Sequence, residues 1–370
     1  MSLRASLITF ALVPILAGCG GHGSATTSSA GPAWAVDSVP VTDIAGTMSN
    51  GDAAFLSVVS AAYLSNGEIV VADPYDAEIR YFDSAGQQVR AYGRAGKGPG
   101  ELGRLTWIGR CGGDTVFAWD DQAHLTALDP TGRMVRQFTI PADSAGSPPI
   151  FVACAPNGPL AILMLLGGPG SPTSNMYQPG LLALSGRTGH VLRVVDSVSI
   201  GQGRVFPRVT QLALSTDRLF VGPEDSARVL VYALDGAPRG GLAIGVDGRP
   251  VSDREYDRAI EQQAAVFSDE SMRKQSIAFM HRVPKPKTLA PYFALFAVGH
   301  DTLWAQVSAP GDSVTVLDAV GPDGKPAGEA RIPRDLRVLD MGRDYVLGEY
   351  DAPDGEQHVA LYRMHPPATR

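Results

Sequence analysis

Chemistry needs reactive side chains at set spacings, and few sets in these 370 residues qualify. Gly96-Lys97-Gly98-Pro99-Gly100 has the look of a loop whose amides cradle a phosphate. The nucleotide-binding pattern also needs a glycine five residues before the Gly-Lys pair and a Ser or Thr after the lysine. Ala91 and Gly98 occupy those places, so the run is read as a turn between strands. No G-x-S-x-G sets a nucleophilic serine on a strand-to-helix elbow. No H-E-x-x-H or C-x-x-C gathers metal ligands. The seven histidines stand singly, and His124, His190, His300 and His358 are read as strand or turn residues.

Cys19 is the residue whose setting does imply chemistry. Arg4 and an apolar run, Leu7 to Leu16, precede it. That run is shorter than the about 20 residues that span a bilayer, and it fits the apolar core of a secretory signal. Leu16-Ala17-Gly18-Cys19 then resembles the bacterial lipobox at all four positions. The resemblance implies a signal peptide over 1–18, cleavage before Cys19, and a diacylglyceryl thioether on its sulfur. Gly20 replaces the aspartate that retains such proteins at the inner membrane, so an outer-membrane anchor is expected. Gly/Ser-rich chain behaves as flexible coil, and residues 19–33 are expected to be a tether.

The net charge is -7, without a basic stripe, which argues against a nucleic-acid partner. Gly 42 and Pro 28 are high for a chain that is 44% hydrophobic, and frequent turns between short strands account for both. Beyond Cys19, Cys111 and Cys154 remain as an even pair in an oxidising compartment.

One unit recurs along the chain. Its clearest copy reads Asn66-Gly67, Glu68-Ile69-Val70-Val71-Ala72-Asp73, Glu78-Ile79-Arg80-Tyr81-Phe82-Asp83, Ser84-Ala85-Gly86, then Gln88 to Gly93, with Leu56 to Ser60 as a preceding strand. Four short β-rich runs separated by turns make one propeller blade. In the second copy Asp120, Asp129 and Gly132 fall where Asp73, Asp83 and Gly86 stand in the first. Four looser copies follow, at roughly 43 to 47 residues where nothing intervenes. The expected fold is all-β: a six-bladed β-propeller over 34–366, with a short helical insert at about 251–283 between blades four and five. Ser252-Asp253-Arg254-Glu255 is a capping box, and Tyr256, Ile260, Ala264 and Phe267 follow on one helical face. A second helix is expected over 269–279. The strand-like run Trp34 to Val41 is expected to complete the last blade and cover its edge. Cys111 and Cys154 each stand three residues before a first turn, at equivalent places on neighbouring blades, and are expected to form a disulfide.

The runs Glu68 to Asp73, Ile79 to Asp83 and Tyr92 to Glu101, with Pro291-Tyr292-Phe293 and His358-Val359, resemble the NHL-like six-bladed β-propellers of bacterial lipoprotein type. The resemblance spans about residues 34–364 and speaks to fold more than to function. Propeller ligands usually meet the channel mouth where inner strands begin. Arg104, Trp107, Phe206, Arg208 and Tyr292 stand at those entries, and they are types that anchor interfaces. The expected function is a lipid-anchored envelope module, binding or scaffold, for a protein, peptide or glycan, without a cofactor. The rival class is a hydrolase or lyase of the propeller lactonase kind. It would hold a divalent metal such as calcium in the channel, with Asp340, Glu349, Glu224 and Asp225 as candidate ligands.

Overall fold

The computed structural model describes residues 31–44, 55, 57–98, 100–139, 149–155, 158–165, 179–186, 190–199, 201–202, 205–206, 208–223, 226–244, 248–265, 267–309, 311–353 and 355–367. The signal peptide, Cys19, Asn157, the 167–178 loop, Glu224 and Asp225 lie outside them.

Tight turns divide the chain into strands. At Gly86 and Gly132 φ is +76° and +80°, a conformation glycine adopts without a Cβ penalty. Each glycine N–H closes its turn on the carbonyl three residues back, Asp83 or Asp129. Each aspartate carboxylate then caps the turn, accepting from Ala85 and Gln87 or from Thr131 and Arg133.

The described chain opens with β1 (Ala33–Val36) and β2 (Thr42–Ile44). The first antiparallel sheet is β3 (Ser60–Tyr63), β4 (Ile69–Asp73), β5 (Glu78–Phe82) and β6 (Gln88–Tyr92). The second is β7 (Leu105–Arg110), β8 (Val116–Asp120), β9 (His124–Leu128) and β10 (Met134–Thr139). The third is β11 (Pro149–Cys154), β12 (Leu160–Leu165), β13 (Pro179–Ser185) and β14 (Val191–Ser199). A short pair, β15 (Gly201–Gln202) and β16 (Arg208–Val209), precedes the fourth: β17 (Gln211–Leu214), β18 (Arg218–Gly222), β19 (Arg228–Ala233) and β20 (Pro238–Ala243). Helices α1 (Asp253–Ala264) and α2 (Glu270–Met280) follow. The rest is β21 (Ala294–Val298), β22 (Thr302–Gln306), β23 (Thr315–Val320), β24 (Pro326–Ile332), β25 (Arg337–Met341), β26 (Tyr345–Asp351) and β27 (Gln357–His365). With β1 and β2 they form one nine-stranded sheet.

The arrangement is propeller-like and all-β apart from the two helices. The leading strands pack in a ring: β3 on β7, β7 on β11, β11 on β17, β17 on β21, β21 on β25, and β25 back on β3. Apolar seams fill the space between consecutive sheets. In one, Val70, Ile79 and Tyr81 meet Leu105, Ile108 and Val116. In another, Phe55 and Phe82 meet Ile44, Leu347, Val359 and Leu361, which closes the circle. A strand inside such a stack is covered on both faces, so β4 and β8 are buried at every residue and read as unbroken apolar runs. Outermost β6 and β10 have no fully buried residue. Every leading strand starts at one face of the ring, called here the entry face. The β3–β4 turn and its counterparts lie at the opposite face, the foot.

Several expectations shift. The leading strand of the first sheet is Ser60–Tyr63, because the backbone before Ser60 is held by side chains: Asp73 accepts from Ser57 N and Gln357 from Val58 N. Residues 31–33, expected to belong to the tether, already pack on the body. Pro32 accepts Glu329 N, Gly31 packs on the Gly328 backbone, and Ala33 already pairs with Glu329. The 34–41 run is not one strand. β1 runs parallel to β24 for two residues (Ala33↔Glu329, Trp34↔Ala330), then antiparallel to β27 for two (Ala35↔His365, Val36↔Met364). β2 then continues along β27. The N-terminal strand therefore covers the edge of the last sheet as expected, and it also joins that sheet to the one before. Trp34 sits edge-on to Trp304 at 5.3 Å, above Gly328, where any side chain would collide with the indole.

The helices lie where the capping pattern put them. Ser252 Oγ accepts Glu255 N, and the Glu255 carboxylate takes two bonds from Arg249. Tyr256, Ile260 and Ala264 are buried against Val205, Leu289 and Ala309. The insert thus sits on the entry face, beside the start of β21.

Cys111, just past β7, and Cys154, ending β11, form a disulfide with Cα atoms 5.5 Å apart. It ties the second sheet to the third across a 43-residue separation. Replacing both cysteines with alanine should cost about 4 kcal/mol, as expected for closing a loop of that size. Denaturant unfolding of the double variant checks this, and a midpoint equal to the parent's would contradict it.

Candidate binding surface on the entry face

The entry-face turns of the first two sheets are built alike. Asp73 is fully buried. Its carboxylate accepts from Tyr75 N at 3.0 Å and Ser57 N at 3.4 Å. Asp120, also buried, accepts from Gln122 N at 3.0 Å, His124 N at 2.9 Å and Gly103 N at 2.8 Å. Each carboxylate shapes its β4–β5 or β8–β9 turn and ties it to the strand entering the same sheet. The turns are tight enough to force Ala77 and Ala123 to φ of 51° and 64°, where a non-glycine residue is strained.

This scaffold displays one large aromatic. Tyr75 is 64% exposed at the turn tip. The Arg104 guanidinium lies 5.7 Å from its ring centroid, within cation–π range, and the Arg104 N–H donates to Asp121. Arg94 and Lys97, both exposed, stand on the neighbouring glycine-rich loop. That loop does bind an anion, and the anion is its own Glu101. The carboxylate accepts from Gly98 N at 2.7 Å and pairs with Arg94 at 3.0 Å. The Gly98 N–H and then Arg94 hold Glu101 below the ordinary carboxylate range.

The five residues expected at the channel mouth do not come together. Arg104 is exposed. Trp107 is half-buried in the seam between the second and third sheets, its ring covering Gly109. Phe206 is half-buried under the helical insert. Arg208 donates to the Thr288 carbonyl and hydroxyl, both at 2.5 Å, which ties β16 to the chain leaving the insert. Tyr292 is 3% exposed and donates to the Pro223 carbonyl. Tyr75 was not singled out in the sequence. The available signal was a bulky aromatic in Asp73-Pro74-Tyr75 where the second copy has Asp120-Asp121-Gln122.

The carboxylates suggested as metal ligands have other work. Asp340 accepts from Tyr63 N, Met341 N and the Tyr345 hydroxyl, at 2.8–3.0 Å, which joins the last sheet to the first. Glu349 pairs with Arg337, whose guanidinium also donates to the Val58 carbonyl. The other Glu349 oxygen is buried without a partner. Among the described residues no three His, Cys, Asp or Glu are placed to hold a metal ion.

No protein-family model and no curated protein matches the sequence. Solved structures do. A member of the DUF4221 family from Bacteroides vulgatus is 13% identical, with 90% of this chain and 99% of that one covered and a TM-score of 0.50. The calcium-binding protein regucalcin from Agrobacterium tumefaciens is 11% identical over 90% of this chain and 96% of its own, at 0.46. Virginiamycin B lyase from Staphylococcus aureus is 11% identical over 86% of each chain, at 0.42. At such identities the likeness concerns the fold alone.

Burial raises the Glu349 carboxyl above its ordinary value, and the Arg337 bond only partly opposes this. The folded form therefore holds a proton more tightly than the unfolded chain. Glu349 accordingly subtracts stability above its folded pKa, and the penalty fades as pH falls toward the unfolded value. Glu349→Gln should melt higher than the parent at neutral pH, with the gap closing under mild acid. Thermal melts across pH check this, and a variant that melts lower at neutral pH contradicts it.

Proposed function

We propose that this chain is an exported, lipid-anchored six-bladed β-propeller that binds a protein or peptide partner through its entry face. The observation that carries the reading is the Tyr75–Arg104 pair: an exposed aromatic under a guanidinium, on a strained turn fixed by a buried aspartate. Tyr and Arg dominate interface energies, and a preformed turn loses little entropy on binding. Arg94 is paired with Glu101, while Lys97 and Arg104 form no ion pair among the described residues, and those two charges favour an acidic segment as partner. Six blades are supported by the ring of six leading strands. The anchor is supported by the lipobox at Cys19. The lactonase-like alternative draws less support, since Asp340 is engaged by three donors within the fold.

Two measurements test the proposal. Radiolabelled palmitate should enter the full chain in a bacterial host, and Cys19→Ser should abolish labelling and release the protein from membranes. Labelling that survives the substitution removes the anchor. Photo-crosslinking from Lys97 in intact envelopes should yield an acidic partner whose adduct falls on the order of tenfold or more in Tyr75→Ala or Arg104→Glu, as for a hot-spot pair. An adduct indifferent to both substitutions removes the entry-face site.

A further inference from the structure

A second surface, on the foot, has a separate chemistry. The β21–β22 turn, the β25–β26 turn and the start of β1 border an open depression of about 420 Å³, within the range of small-molecule sites. Trp34 and Val298 supply an apolar wall, and His300, Asp301, Thr302 and Arg343 supply polar groups. Two of the polar groups have neighbours that place them. Gly299, at φ +68°, lets the Arg343 guanidinium lie against its turn, since a Cβ there would approach Nη2 to 3.1 Å. His300 Nδ1 is engaged by the Thr216 hydroxyl at 2.6 Å, leaving Nε2 as the free ring nitrogen. Trp34 is packed edge-on against Trp304 and over Gly328.

These groups select among ligand classes. An anion would meet Asp301, and a cation would meet Arg343. An apolar molecule would strip water from His300, Asp301 and Arg343 without replacing the lost bonds. A neutral polyol satisfies every member. Its hydroxyls both donate and accept, so adjacent hydroxyls can give to Asp301 and accept from Arg343 and His300. The C–H face of a sugar ring can lie on the indole of Trp34. We infer that the depression between the β21–β22 and β25–β26 turns is a binding site for a neutral sugar ring. The site is independent of the entry-face reading and of the lipid, since it uses neither Tyr75 nor Cys19.

The test is saturation-transfer difference NMR on the full chain in detergent. D-glucose and N-acetyl-D-glucosamine are the probes, and acetate, inorganic phosphate and choline are the charged controls. Transfer should reach at least one sugar and none of the controls. Affinity should fall on the order of tenfold in Asp301→Asn and in Arg343→Gln, the loss expected for one hydrogen bond to a charged group. Both residues are exposed, so both variants should keep the parent's melting temperature. Trp34→Phe keeps an aromatic wall and should retain weakened binding. Transfer to no sugar, transfer to a charged control instead, or sugar binding unchanged in both polar variants would overturn the inference.

Discussion

A ring of sheets is stable only if its last seam is as well filled as its others. Each sheet here is apolar on both faces, so an open ring would expose two such faces to water at once. At the seam joining last to first, Ile44, Tyr345, Leu347, Val359 and Leu361 pack on Phe55, Val71 and Phe82. Polar ties fix the register of that seam. Asp340 reaches Tyr63, Arg337 reaches Val58, and Gln357 accepts from Val58 N. The residues that look most like catalytic carboxylates therefore serve closure. A carboxylate that satisfies one donor across a seam and two within its own sheet contributes more to the fold than one left free in a channel.

The same economy governs the entry face. A buried aspartate with its lone pairs filled by backbone amides fixes a turn better than apolar packing could, because hydrogen bonds specify direction. Asp73 and Asp120 do this at matching places, and what differs is the cargo of the turn. The second sheet carries Gln122, which folds back to donate to the Gly96 carbonyl. The first carries Tyr75, which points to solvent. Divergence of display on a repeated frame is how one blade of a propeller becomes distinct from its neighbours.

The repeat was readable because its turns have strict chemistry: Gly86 and Gly132 need positive φ, and Asp83 and Asp129 cap beside them. The capped helix at Ser252 was readable for the same reason, as was the Cys111–Cys154 pairing, which followed from equivalent places in the repeat. Side-chain exposure was not readable. Tyr292 and Arg208 have the residue types of an interface, yet each found a carbonyl within its own chain. Local sequence does not say which of two aromatics near a strand entry faces inward. Nor did alternation reveal that β1 would serve two sheets, since two residues on each are too few to leave a pattern.

The geometry of β1 also has a mechanical meaning. The chain leaves the foot at Gly31, and β1 runs from there into the body between β24 and β27, parallel to one and antiparallel to the other. A pull on Ala33 away from the foot acts along the strand axis, not across it. The hydrogen bonds on both flanks are then sheared together, with Trp34 wedged over Gly328 resisting the slide. A strand peeled from one end would yield bond by bond at far lower force. The first strand of the described fold is thus oriented to resist a pull directed along it from the foot.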